Sequence, residues 1–194
     1  MQHLLPIVFA ITLCSLLVLA VCLIASLVRP EARVWPPPGA ASWQFWLVWT
    51  LTTVAAVGTV VVGILDWNRL ALDHWLRLPI GGALVVGGLL FARWGMTTLG
   101  RRATLGIEGV LVAKGPYRYT RNPQYVGDIA ALLGWGILCN SLLTWIVSLL
   151  GMAWFALAPF TEEPWLRARY GSAYGDFRRR VPRFLGRPAS REGG

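Results

Sequence analysis

The sequence predicts an all-α membrane protein: a polytopic bundle of about five transmembrane helices, followed by a cytoplasmic amphipathic helix at the C-terminus. Three observations lead there. Of 194 residues, 56% are hydrophobic and only 14% charged, where soluble domains carry about 25% charged residues. The apolar residues gather into runs long enough to cross a bilayer. The breaks between runs hold proline, glycine or clusters of charge. The length suits one structural domain, with three spans and an interfacial segment in residues 1–95. Residues 96–194 supply a cofactor-binding loop, a transmembrane hairpin and the amphipathic helix.

Leu4 to Val28 is one apolar run, which as a helix crosses a hydrocarbon core of roughly 30 Å. It lacks a basic leading segment and exceeds the ~7–15 apolar residues of a signal peptide, so it reads as a retained span. Pro30 and Pro36-Pro37-Pro38-Gly39 then break any helix. Trp43 to Leu65 forms the second span, opening with Trp43, Trp46 and Trp49, an aromatic set typical of the membrane interface. From Asp66 to Arg77, Trp67, Leu70, Ala71, Trp75 and Leu78 recur roughly at helical spacing, which predicts a short interfacial helix. Leu78 to Gly95 is the third span, where Gly81, Gly82, Gly87 and Gly88 allow close helix contact. Arg93 near its end reaches the headgroups.

A polar region, Met96 to Asn122, precedes an apolar stretch from Pro123 to Phe160 interrupted only by Asn140-Ser141. As one helix that stretch is roughly 57 Å long, too long for one crossing. Split at Asn140-Ser141 it gives two arms of about 25–30 Å. A hairpin also brings the Tyr117–Arg121 loop and the Glu162 cluster to one side of the membrane.

The net charge is +9, and its distribution orients the chain. Arg101, Arg102, Lys114, Arg118 and Arg121 lie before the hairpin; Arg167, Arg169, Arg178, Arg179, Arg180, Arg183 and Arg187 lie after it. The positive-inside rule puts both sets in the cytoplasm, with the C-terminus inside and the N-terminus outside. Lys114 is the only lysine, an arginine bias that suits a GC-rich bacterial genome, so the expected membrane is a bacterial inner membrane. No nucleic-acid module accompanies the basic charge, so its expected partner is anionic lipid. Cys14, Cys22 and Cys139 sit inside apolar runs without metal-ligand spacing and read as small buried hydrophobes. His3 and His74 are too far apart to suggest a metal site.

Two polar clusters could carry chemistry. The first is Gly115-Pro116-Tyr117-Arg118-Tyr119-Thr120-Arg121-Asn122-Pro123-Gln124-Tyr125-Val126-Gly127. Asn122-Pro123 is a favourable helix start, and its free N–H groups could hold a carboxylate or phosphate. Arg118 and Arg121 add charge-assisted donors. Tyr117, Tyr119 and Tyr125 offer faces to a planar base or a cation, and Gly127 leaves room for close approach. An interfacial anchor of Tyr and Arg is the plainer alternative.

The second cluster is Thr161-Glu162-Glu163-Pro164. Pro164 disfavours helix at Glu163, which predicts a break there and two carboxylates able to take an ammonium group or ribose hydroxyls. Support of the next helix through its dipole is the alternative, worth about 0.3–1 kcal/mol. Beyond it, Leu166, Tyr170, Tyr174, Phe177 and Val181 recur at helical spacing and define an amphipathic helix. Asp128, one turn into the fourth span, is an ionisable group near membrane depth and either functional or a dipole partner.

Together these stretches resemble the isoprenylcysteine carboxyl methyltransferase and phospholipid methyltransferase superfamily of integral membrane enzymes. The resemblance rests on Gly115-Pro116-Tyr117-Arg118, on Arg121-Asn122-Pro123-Gln124-Tyr125-Val126-Gly127, and on Glu162-Glu163, Leu166, Tyr170-Gly171, Tyr174, Phe177 and Val181-Pro182-Arg183. It covers roughly residues 99–185. The family usually carries histidine where this chain has Asn122, which cannot titrate near neutral pH, so an imidazole base is not expected at that position.

The resemblance implies S-adenosylmethionine as cofactor and a lipophilic or small methyl acceptor: a lipid amine, a thiol or a carboxylate. It implies no metal. The expected cofactor-binding residues are Tyr117, Arg118, Arg121, Asn122, Pro123, Tyr125, Gly127, Glu162, Glu163 and Tyr174. The expected catalytic residues are Glu163, as general base, and Arg167. Two other readings stay open: a sterol-reductase-like oxidoreductase using NADPH, and a non-catalytic membrane protein binding lipid or a partner.

Overall fold

The computed structural model describes residues 3–70, 75–107 and 109–185. Six helices follow one another: α1 (Leu4–Val28), α2 (Trp43–Leu65), α3 (Arg77–Leu99), the single-turn α4 (Arg101–Thr104), α5 (Pro123–Cys139) and α6 (Leu142–Arg180). No strand occurs among the described residues. α1, α2, α3 and α6 are long and apolar enough to cross a membrane. With 17 residues, α5 reaches about 25 Å, the shortest crossing of the five. Side chains such as Ile7, Val21 and Ile24 on α1 and Ile64 on α2 point outward, as lipid-facing residues do.

Local chemistry fixes the boundaries. Ser42 caps α2, its Oγ accepting the Phe45 N–H at 3.2 Å. α5 ends at Asn140, which takes a left-handed conformation (φ 48°). Ser141 then caps α6, accepting the Thr144 N–H at 3.0 Å. The hairpin therefore turns at the polar pair the sequence marks.

The expected interfacial helix over Asp66–Arg77 is not found where that segment is described. Residues 66–68 and 75–76 are turn. The Asn68 and Leu70 N–H groups donate to the Cys139 and Asn140 carbonyls at 2.8 and 2.9 Å, and Ser141 Oγ donates to Asp66 Oδ2 at 2.5 Å. Donors that a helix would satisfy internally close the hairpin instead. Ala71, His74 and Arg187 lie outside the described residues.

α3 and α5 pack backbone to backbone. A Cβ on Gly88 would lie 2.5 Å from the Gly127 carbonyl oxygen, and one on Gly127 2.5 Å from the Gly88 oxygen. Gly81 and Gly134 form a second such pair, at 2.9 and 2.7 Å. Gly82 and Gly87, also expected at a helix contact, face open space. Cys139 is buried as expected, but Cys14 is exposed on the outer face of α1 and Cys22 is half-buried.

α6 corrects the reading of Pro164. The helix runs through Pro159 and Pro164 without breaking, and the departure comes at Gly171 (φ 55°, ψ −130°). Proline only disfavours helix before it, and packed membrane helices tolerate it. Gly171 adopts a conformation closed to residues with a Cβ. At 39 residues the helix is about 58 Å long, so its second half leaves the bilayer. There Tyr174, Phe177 and Val181 bury against Tyr117, with Leu99, Leu111, Val112, Leu166 and Tyr170 around them.

Candidate active site

The α1–α2 loop, the region between α3 and α5, and the outer half of α6 meet at one end of the bundle around a cavity of about 900 Å³, counting its open mouth. Residues 105–107 and 109–112 lie over it, held by Trp49 Nε1 donating to the Leu105 carbonyl at 3.3 Å and the Tyr170 hydroxyl donating to the Gly109 carbonyl at 2.5 Å.

Glu162 and Glu163, adjacent on α6, have opposite surroundings. Glu162 Oε1 accepts the Trp35 indole N–H at 2.7 Å and the Tyr125 hydroxyl, both uncharged donors. Trp35 follows α1, is almost fully buried, and packs against Trp49 and Trp154. It was not singled out from the sequence, because nothing local marks a loop tryptophan as the partner of a carboxylate 127 positions away.

Glu163 is held by arginines. Arg183 grips it in a two-point contact, Nε to Oε1 at 2.6 Å and Nη2 to Oε2 at 2.9 Å. Arg121 Nη1 sits 3.0 Å from Oε1, and Arg178 Nε 4.0 Å from Oε2. The hydrogen bond that Arg183 donates to Glu163 is the main reason its guanidinium is held above its ordinary pKa. Arg121 is nearly buried, also donates to the Tyr174 hydroxyl at 3.4 Å, and keeps its Nε buried without a partner. Tyr117 lines the cavity, its hydroxyl pushed well up by burial and by the charge of Glu162.

The Val181-Pro182-Arg183 segment is stitched to the loop before α5. The Arg121 N–H donates to the Pro182 carbonyl at 2.9 Å, and Thr120 Oγ1 and Asn122 Nδ2 donate to the Arg183 carbonyl at 3.1 and 2.9 Å. Asn122 thus occupies the N-cap position of α5, but its side chain does not cap the helix. Its amide is committed to the tail.

Of the expected site residues, Tyr117, Arg121, Asn122, Tyr125, Glu162, Glu163 and Tyr174 line the cavity together. Four do not. Arg118 and Arg167 are exposed and outside the lining. Pro123 packs beside Gly95 and Gly127 against Gly88 and Ala92, both facing α3. Among the described residues no group of three His, Cys, Asp or Glu side chains is arranged to hold a metal.

Residues 76–173 match the family model described as phospholipid methyltransferase. The nickel-cobalt-cadmium resistance protein NccN of Alcaligenes xylosoxydans xylosoxydans is 28% identical over 145 residues, 72% of this chain and 63% of that protein. Protein-S-isoprenylcysteine O-methyltransferase of Schizosaccharomyces pombe is 36% identical over 76 residues, 39% of this chain and 32% of its own. Phosphatidylethanolamine N-methyltransferase B of Dictyostelium discoideum is 30% identical over 100 residues, 48% and 50% of the two chains. This chain therefore spans less than two thirds of the length of each. No solved structure matches.

Proposed function

This chain belongs to the phospholipid methyltransferase family, and from that membership and the geometry of its cavity we propose that it is an integral membrane methyltransferase. It uses S-adenosylmethionine to methylate a lipophilic or small acceptor at the cytoplasmic face. The observation that carries the reading is the pairing of Glu162, whose hydrogen bonds come from uncharged donors, with an arginine-bound Glu163 in one cavity at the membrane boundary.

The donor set fits the cofactor. Both hydrogen bonds to Glu162 converge on Oε1, so Oε2 is the oxygen open to an ammonium group or ribose hydroxyls. The unpartnered Arg121 Nε–H suits a carboxylate. Tyr117, Tyr170 and Tyr174 supply aromatic faces for a base. When bound, the cofactor supplies an activated methyl group on a sulfonium.

The protein's contribution is alignment. With the cofactor bound, the cavity walls would hold and orient the acceptor and keep water away. Proton removal, where the acceptor needs it, falls to Glu162 rather than Glu163, because the arginines occupy both oxygens of Glu163. Glu163 then positions Arg121 and closes the tail over the site, and Arg167 takes no part. The basic residues before α5 and those at the end of α6, with Arg29 and Arg33 of the α1–α2 loop, lie toward the cavity end of the bundle, so the positive-inside rule turns that end to the cytoplasm.

The test is S-adenosylmethionine binding to Glu162→Gln in lipid nanodiscs. Loss of about tenfold or more in affinity with an unchanged fold supports the assignment. Wild-type affinity in the variant rejects it.

A further inference from the structure

Inside the membrane-spanning part of the bundle, a second cavity of about 1,070 Å³, counting its open mouth, lies among α1, α2, α3, α5 and α6. Its wall is mostly aliphatic and aromatic, and no lysine, arginine or histidine is among the described residues that line it. Two features stand out. Asp128 places a carboxyl group on the wall, one helical turn along α5 from Gln124, a residue of the first cavity. Trp154 lines the same wall with its Nε1–H buried and without a partner. The other indole on this wall, Trp135, donates to the Thr59 carbonyl at 3.1 Å, so the unmet donor is particular to Trp154. Its ring packs against Trp35 and Tyr125, with centroids 5.6 and 6.3 Å away, and these separate the chamber from Glu162.

We propose that this intramembrane cavity binds an uncharged lipid alcohol, an alkyl chain whose hydroxyl donates to Asp128 and accepts from the Trp154 indole. The chemistry of the wall selects that class. A hydroxyl is both donor and acceptor, so it can meet the Asp128 carboxyl and the unpartnered Trp154 indole together on a wall that Thr52 and Thr59 also line. An ammonium group would satisfy Asp128 but leave the indole N–H unmet. A carboxylate would meet Asp128 with no cation nearby, and a plain hydrocarbon would leave the Trp154 indole N–H unmet. The site lies apart from the methyl-transfer reading and does not depend on it.

The test is photoaffinity labelling of the full-length protein in phosphatidylcholine nanodiscs. Three twelve-carbon probes carry a mid-chain diazirine and end in a hydroxyl, an ammonium or a methyl group, each competed with dodecanol and mapped by peptide mass spectrometry. The hydroxyl probe is expected to label α5 and α6 with about tenfold tighter apparent affinity than the methyl probe, the worth of two ordinary hydrogen bonds. Asp128→Leu and Trp154→Phe should each remove most of that preference. Gly151 lines the cavity, and a Cβ there meets only the flexible Leu132 side chain, so Gly151→Phe should fill the space and abolish labelling. Gly151→Leu serves if the larger variant does not fold.

Equal labelling by all three probes, preference for the ammonium probe, or labelling that survives filling of the cavity overturns the proposal. S-adenosylmethionine titrated into the same samples reads the first cavity separately, so failure of one assignment is distinguishable from failure of the other.

Discussion

Trp35 and Glu162, 127 positions apart, are joined by a hydrogen bond of 2.7 Å from indole N–H to carboxylate. The bond ties the loop after α1 to the cavity face of α6, so the first two helices help build the site. Trp35 also lies outside the family-matched residues 76–173. Trp35→Phe keeps an aromatic ring beside Trp49 and Trp154 and removes only the donor. The expected result is S-adenosylmethionine binding weakened about three- to tenfold, the worth of one hydrogen bond, measured by calorimetry. Unchanged affinity would mean that Glu162 does not depend on this donor.

Glu163 balances Arg121 and Arg183. Its side chain is 10% exposed and that of Arg121 8%, with Arg183 at 27%. Glu163→Gln leaves two guanidinium groups facing a neutral amide, and a loss of ~3 kcal/mol is expected, the lower end for breaking a buried pair because Arg183 is partly solvated. Arg183→Lys keeps the charge but loses the two-point contact and should cost less. The exposed Arg179–Asp176 pair is the control: Arg179→Ala should change stability by less than about 1 kcal/mol. Denaturant titration in micelles orders the three variants.

Asn122 works as a clamp for the tail. Asn122→Asp replaces the donor to the Arg183 carbonyl with an acceptor, and should loosen the segment from Val181 to Leu185. Hydrogen exchange there is expected to rise about tenfold or more, a loss of roughly 1–3 kcal/mol of local protection. Exchange in α3 should stay unchanged.

The glycines of α3 divide into two kinds. Gly88→Ala puts a Cβ 2.5 Å from the Gly127 carbonyl oxygen, which forces α3 and α5 apart and should destabilise by about 1–3 kcal/mol or more. Gly82→Ala and Gly87→Ala meet nothing within 4 Å and should be neutral or slightly stabilising, since alanine is the better helix former. Thermal unfolding of the three variants separates them.

Much of the fold was legible because its signals are local. The runs bounded by Pro30, Trp43 and Asp66 became α1 and α2, and Asn140-Ser141 turned the hairpin, because capping and breaking depend on neighbouring residues. The break assigned to Pro164 fell at Gly171, since a proline preference yields to tertiary packing while a positive φ favours glycine. At the site, charge and aromatic content marked Arg121, Tyr125, Glu162 and Tyr174. What stayed hidden was non-local: the Trp35 donor, the arginines that neutralise Glu163, and the commitment of the Asn122 amide to the tail. Gly127 and Pro123 belong to helix contacts that their place in a loop motif does not reveal.

The most direct test of the central claim is calorimetric binding of S-adenosylmethionine, beside NADPH, to the purified protein in lipid nanodiscs. The account predicts saturable binding of S-adenosylmethionine, weakened by Glu162→Gln, and none of NADPH. Binding of NADPH alone, or of neither molecule by a folded sample, would contradict it.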